Sequence, residues 1–393
     1  MTDPNAAEPQ TSTGDNPILD PNRRNVLAGV AALGLAGVAG PLRSAVRATP
    51  VKAHGPFPAL NGIQTAGQRV IYSYPGLTPP AELLSDIRNG QVAGVIFFGE
   101  NISSESQIAG VITQLKQAQA AAPVKLPLLL MTDQEGGEVA RLPGAPTMSE
   151  KQIGASSNPT GAATTAGTGA GQNLAGVGMN VNLAPVLDVF YTAGDFDDQF
   201  QRSYSSNPAI ASECGKAFIT AQQGTGVAAT AKHFPGLGSA TASQNTDSGP
   251  VTLTVSLSQL RGTDEVPYPA AVAAGVKLVM VSWATYPALD PSLPAGLSPV
   301  VVQQELRAHN NFQGVTITDA LEAGALSAYG TTQQRAVAAA FAGMDLILCS
   351  ARSVSQGEQA TAALAAAYAS GQLEPTAFNA ALNRITALRE GLA

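Results

Sequence analysis

From about residue 60 onward, short apolar runs alternate with longer amphipathic stretches, and this alternation constrains the fold more than any other feature. Apolar, β-branched runs read as buried strands, and stretches with apolar residues three and four apart read as helices. The strand pattern falls at 69–74, 92–98, 126–133, 179–186, 227–234, 278–283, 315–318 and 345–350. Helices are expected over 81–89, 105–121, 164–176, 208–224, 256–275, 299–310, 333–343, 356–370 and 375–391. Eight strand–helix units imply an α/β fold, a (β/α)8 barrel of the TIM type. One unit fewer would suggest an open, doubly wound sheet.

The chain has 393 residues, 45% hydrophobic and 12% charged, with no second block of composition after residue 350. One catalytic domain over 54–393 is therefore expected. Ala is abundant and Gly numbers 40, which suits helices packed closely on strands. A net charge of −7 without basic runs argues against nucleic acid and against an anionic membrane surface. The two cysteines, Cys214 and Cys349, lie outside any CxxC pattern, so no zinc site is inferred, and two buried thiols are expected rather than a disulfide. No metal or organic cofactor is implied.

Residues 1–53 form a separate N-terminal segment. The first 22 residues carry four acids and no base and read as disordered. Arg23-Arg24 then precedes a moderately apolar Ala/Gly run ending near Gly40, which resembles a twin-arginine secretion signal. The run is shorter and less apolar than the roughly 20 residues a spanning helix needs. An uncleaved anchor is the competing reading. Cleavage near Ala48 or Ala53 would leave a secreted protein with no stable membrane association.

The rule that barrel enzymes work at the carboxyl ends of their strands tells where to look for chemistry. Asp133, Asp188, Lys232, His233 and Asp319 all fall at that rim. Asp319, directly after the run Val315 to Thr318, is a candidate nucleophile or metal ligand, or else the cap of a following helix. Carboxylates and cations at one rim can hold a polar ligand, because charged hydrogen bonds are stronger than neutral ones. Glu135, in the turn after Asp133, is given no catalytic role.

The stretches FFGENI (97–102), TDQEGGEVARLP (132–143), NLAPVLDV (182–189), RSYSSNP (202–208), KHFPG (232–236), YPALDP (286–291) and GVTITDALEAGAL (314–326) carry a resemblance. Together they resemble family 3 glycoside hydrolases, and among these the single-domain β-N-acetylglucosaminidases of peptidoglycan turnover. The resemblance implies a retaining hydrolase that removes a terminal β-linked sugar, N-acetylglucosamine from a glycoside or cell-wall fragment. It implies Asp319 as nucleophile. It also implies Asp133, Arg141, Arg202, Lys232 and His233 as the sugar pocket. Other readings stay open for four rim residues. Lys232 and His233 could form a structural pair, Arg202 could anchor a loop, and Asp188 could fix its neighbours.

The chain departs from the family at the general acid. The family's glucosaminidases carry an Asp–His pair on the loop after the fifth strand. Here Asp247 matches the Asp, but Gly249 stands at the His position and Leu237 replaces an earlier His. The chain's histidines are His54, His233 and His309, and neither His54 nor His309 is an obvious substitute. Asp247 is thus the candidate acid, in a reduced role, since general acid help is worth typically about 10²–10⁴-fold. Trp283, the single tryptophan, could stack on a sugar or pack in the core. A catalytically impaired sugar-binding or cell-wall scaffold protein is the rival reading, and a β-glucosidase-type specificity is another.

Overall fold

The computed structural model describes residues 60–392. The twin-arginine-like segment, the expected boundary at residue 53 and His54 lie outside them. All eight expected strand regions hold strands: β1 (Val70–Tyr72), β2 (Gly94–Ile96), β3 (Leu129–Thr132), β6 (Val181–Asn182), β7 (Ala228–Phe234), β8 (Leu278–Val281), β9 (Val315–Thr318) and β10 (Ile347–Leu348). Between β3 and β6 a small antiparallel hairpin intervenes, β4 (Gln134–Gly136) with β5 (Val139–Ala140). The eight parallel strands run in the order β10-β1-β2-β3-β6-β7-β8-β9. A bridge between Ile317 and Leu346 joins the two ends, with Leu346 N donating to Thr316 O at 2.9 Å and Thr318 N to Leu346 O at 3.0 Å. The sheet thereby curls into the expected barrel.

The barrel interior is filled by the apolar residues that made the strands recognisable. Ile71, Leu129, Met131, Val181, Leu278 and Ile317 are each 0% exposed. Burying one such side chain contributes about 1.5–3 kcal/mol. Outside the barrel, helices Pro159–Val177 and Pro208–Gln223 pack together, and a Cβ on Gly167 would run into the backbone of Phe218. The Ala/Gly content therefore serves close approach. Cys214 and Cys349 are free and buried, as expected.

A buried ion cluster lies at the amino-terminal end of the barrel. Asp345 receives Arg307 Nη2 at 2.6 Å and Arg384 Nη2 at 2.7 Å, and Thr316 N donates to it at 2.9 Å. Among the described residues no helix is long and apolar enough to cross a membrane.

Two helical expectations need correction. The stretch 256–275 is not one helix but three short pieces, Leu257–Gln259, Leu260–Asp264 and Pro267–Ala273. Pro267 has no N–H to continue a ladder and instead starts the third piece. After Asp319 the chain turns without a helix, forms a 3-10 segment at Gly324–Tyr329, and enters helix Thr332–Ala342 only behind the capping box of Thr331.

One buried acid gives a test of the fold. Glu265 is 3% exposed, with Asn310 Nδ2 donating to Oε2 at 2.9 Å and, among the described residues, no hydrogen-bond partner on Oε1. Burial, assisted by the neighbouring Glu305 charge, pushes its pKa from the ordinary 4.5 to about 8. Between those values the folded chain holds a proton that the unfolded chain has released, so stability falls as pH rises through that window. Glu265→Gln should remove this slope and melt above wild type at about pH 8.5. Parallel wild-type and variant melting curves across pH would contradict the assignment.

Candidate active site

The hairpin after β3 sets one wall of the site. Asp133 and Glu135 are alternate residues of extended chain, so their side chains fall on one side. Both reach Lys232, whose Nζ lies 2.8 Å from Asp133 Oδ1 and 2.7 Å from Glu135 Oε1. The hairpin can turn here because Gly136 (φ 112°) and Gly137 (φ 58°) adopt left-handed backbone, and a Cβ on either would strike the 148–149 segment. Arg141, on the returning arm, faces the same space, and its Nε is buried without a hydrogen-bond partner among the described residues.

Glu135 is the residue the sequence undervalues. Its fully buried carboxylate takes Arg202 in a fork, Nε to Oε2 at 2.8 Å and Nη2 to Oε1 at 2.9 Å, as well as Lys232. Arg202 Nη1 is fixed in turn by Asp197 Oδ1 at 2.7 Å. Burial raises the Glu135 pKa, but the Arg202 and Lys232 charges outweigh it and hold the group at about 2. Burial likewise favours a neutral Lys232, and Asp133 and Glu135 reverse that, leaving its pKa above the usual value. Arg202 is therefore both a loop anchor and a cavity-lining cation. The sequence signal for Glu135 was its spacing two residues from Asp133.

At the end of β7 the pairing with β8 shifts register between Ala231 and Phe234. A regular strand would send successive side chains to opposite faces. At this irregularity Lys232 and His233 both line the cavity. His233 Nδ1 lies 2.7 Å from Asp188 Oδ2, and Leu237 N donates to Asp188 Oδ1 at 2.6 Å. Asp188 is 0% exposed, so it orients His233 from behind. Burial pulls the His233 pKa down, but the Asp188 carboxylate dominates and raises it above the ordinary value. Asp188, Asp197 and His233 place donor atoms within 4.8 Å of one another. His233 Nδ1 is paired with Asp188 and Asp197 Oδ1 with Arg202, while Asp197 Oδ2 has no hydrogen-bond partner among the described residues.

Opposite this charged wall stands Asp319, half-buried after β9, with its Oδ1 accepting the Ala320 N–H at 2.7 Å. No helix begins there, so the capping reading falls. Asp247 sits on the long loop after β7, in a turn where Asn245 Oδ1 accepts its N–H at 2.8 Å. Partial burial, then the Asp319 charge, push the Asp247 pKa up, while His233 and Arg202 pull the other way. All seven residues singled out as catalytic or sugar-binding in the sequence, from Asp133 to Asp319, line one cavity of about 480 Å³. Its floor includes Ile96, Leu183, Met280 and Leu348. The sequence did not point to Glu322, Ser350 and Arg352, which complete the wall beyond Asp319. Glu322 Oε1 is 2.8 Å from Ser350 Oγ, and the Arg352 guanidinium lies 4.2 Å from the Phe98 ring centroid.

Two open readings resolve here. Trp283 is 1% exposed, is absent from the cavity wall and donates from Nε1 to Ala320 O at 2.8 Å, so it packs beneath the Asp319 loop. His309 lies 3.9 Å from Glu305, also away from the cavity. Leu237 does line the cavity, and it brings no titratable group.

A rim cavity in a parallel barrel, with charged hydrogen-bonding groups on one side and two carboxyls on the other, defines a carbohydrate-active barrel enzyme. The glycosyl hydrolase family 3 N terminal domain model matches residues 65–388, and the chain belongs to that family. It is a glycosidase. An "Uncharacterized secreted glycosyl hydrolase" of Arthroderma benhamiae is 45% identical over 329 residues, 83% of this chain and 93% of its own length. "Beta-hexosaminidase A" of Pseudoalteromonas piscicida is 30% identical, covering 80% of this chain, which spans only 56% of that relative. Among solved structures, a family 3 beta-N-acetylglucosaminidase from Paenibacillus sp. str. FPU-7 superposes with a TM-score of 0.79 at 32% identity. That match covers 85% of this chain and 63% of the Paenibacillus chain.

Proposed function

We propose that the protein is an exported glycosidase that removes a terminal β-linked N-acetylglucosaminyl residue with retention of configuration. In this reading Asp133, Arg141, Arg202, Lys232 and His233 hold the sugar hydroxyls. The Asp319 carboxylate attacks the anomeric carbon as the Asp247 acid protonates the departing oxygen. Water, deprotonated by Asp247, then releases the sugar from Asp319. The observation carrying this reading is that Asp319 and Asp247 meet in one cavity, facing the charged wall. The raised pKa of Asp247 supports its entering the reaction protonated. The names of the hexosaminidase relatives support the choice of sugar. Hydrolysis of nitrophenyl β-N-acetylglucosaminide should exceed that of nitrophenyl β-glucoside by well over tenfold. Equal rates would instead support the β-glucosidase-type specificity.

The absence of a histidine beside Asp247 favours the rival reading of a sugar-binding protein with impaired catalysis, and a variant separates the two. Gly249 is not in left-handed backbone, and a Cβ there meets nothing within 4 Å among the described residues. A side chain is therefore admissible. Gly249→His would place an imidazole two residues from Asp247, with a pKa near neutrality. It should raise the rate on unactivated disaccharides more than on nitrophenyl glycosides, whose leaving groups barely need a proton. A wild type that already cleaves disaccharides quickly, with no leaving-group dependence, would contradict this.

We also propose that residues 54–393 act as one catalytic domain and that 1–53 direct export in folded form. The description of the Arthroderma relative as secreted supports export. Arg23→Lys with Arg24→Lys should trap a reporter fusion in the cytoplasm. Normal export of that double variant would remove the twin-arginine reading.

A further inference from the structure

Two loops carry the two reacting carboxyls, and nothing in the barrel ladder ties them together. The loop after β7 bears Asp247, and the segment after β9 begins with Asp319. The structure joins them by backbone. Gly324 N donates to Asp247 O at 2.8 Å, and Ala325 N donates to Thr246 O at 2.9 Å. These are N–H groups of the first turn of Gly324–Tyr329, which have no partner within their own segment. The fit is tight: a Cβ on Gly324 would lie 2.5 Å from both C and O of Ser248 and 2.8 Å from Asp247 O. Gly324 is not in left-handed backbone, so the glycine serves close approach rather than a special φ. The opposing turn is itself stiff, because Ser248 N and Gly249 N both donate to Asn245 O at 3.1 Å.

We propose that Gly324 and the Ala325 amide form a clamp that sets the position of the Asp247 carboxyl relative to Asp319. Gly324 is thus a positioning residue for proton transfer. This rests on the reading of Asp247 as the acid and Asp319 as the nucleophile. In the first step the bond from Asp319 oxygen to the anomeric carbon forms as the bond to the leaving oxygen breaks. The Asp247 proton goes to that oxygen. An acid displaced by an ångström loses the hydrogen-bond reach this needs, about 2.6–3.2 Å. Attack by Asp319 on a substrate with a good leaving group needs no such proton. The groups facing Asp247 are Asp319, Glu322, His233 and Arg202. Moving Asp247 away from Asp319 therefore also alters the pH at which it gives up its proton.

The test compares wild type, Gly324→Ala, Asp247→Ala and the double variant on a dinitrophenyl glycoside and on the disaccharide. Gly324→Ala should lower kcat/KM on the disaccharide by about tenfold to a hundredfold. The loss on the dinitrophenyl glycoside should be less than about threefold, and the alkaline limb of the pH profile should shift. The double variant should be no worse than Asp247→Ala, because both act through one group. In wild type, hydrogen exchange of the Gly324 and Ala325 amides should be slow, a readout that does not depend on any variant folding. Rapid exchange of both amides overturns the clamp. Equal losses on the two substrates, or a folded Gly324→Ala with wild-type leaving-group dependence and pH profile, also overturn it while Asp247→Ala remains impaired. A silent Asp247→Ala instead overturns the assignment of Asp247, and the clamp's catalytic role with it.

Discussion

Asp319→Ala should lower kcat/KM by about 10⁴-fold or more while the protein stays folded. The size follows from its proposed role. Removing the group that forms the covalent intermediate abolishes the pathway, and losses of this order or larger are typical for such groups. The small structural effect follows from where the residue sits. Asp319 is half-buried at the rim, and among the described residues its one side-chain hydrogen bond is to the adjacent Ala320 N–H. Circular dichroism and melting temperature should match wild type, and binding of N-acetylglucosamine should survive. More than a few per cent of residual kcat/KM would exclude Asp319 as nucleophile.

Glu135→Gln should have the second largest effect, acting on stability and activity together. The carboxylate is fully buried and paired with Arg202 and Lys232. Breaking a buried pair from one side leaves cations without their counter-charge and costs about 3–5 kcal/mol. The pKa argues the same way. Held at about 2 against an ordinary 4.5, the group contributes on the order of 3 kcal/mol. Because the folded pKa is depressed, that contribution is present above about pH 4.5 and is lost as pH falls toward 2. Wild type should therefore lose stability through that acid window, and the variant should show a flatter response there. The loss of fixed Arg202 and Lys232 should also cut kcat/KM by roughly a hundredfold, since each charged hydrogen bond is worth about 1.5–3 kcal/mol. Wild-type denaturation midpoints at neutral pH would show that the ion cluster does not hold the hairpin.

The barrel was legible because its strands are apolar, short and β-branched, and the run at 315–318 coincides with β9. Elsewhere the apolar runs extend past the regular strand, as at 179–186 against Val181–Asn182, because the flanks make only single bonds to their neighbours, such as Leu183 N to Thr132 O at 3.0 Å and the isolated bridge of Val186 with Lys232. The rim residues were legible because position in a parallel barrel fixes which end carries chemistry. Glu135 was not, because its role depends on Arg202 arriving from 67 residues away. Gly324 was equally hidden, because only the folded chain shows Ser248 against it. Trp283 could stack or pack as far as its sequence context said, and burial under Ala320 decided it.

The covalent role proposed for Asp319 can be tested by one trapping experiment. A ring-fluorinated N-acetylglucosaminyl fluoride destabilises the oxocarbenium-like transition state while keeping a good leaving group, so a glycosyl-enzyme accumulates. The expected result is a mass increase of one fluorinated sugar per chain, mapping by peptide analysis to Asp319, with the β-anomer as the first product from an ordinary substrate. A first-formed α-anomer, an adduct on another residue, or turnover without any adduct would contradict it.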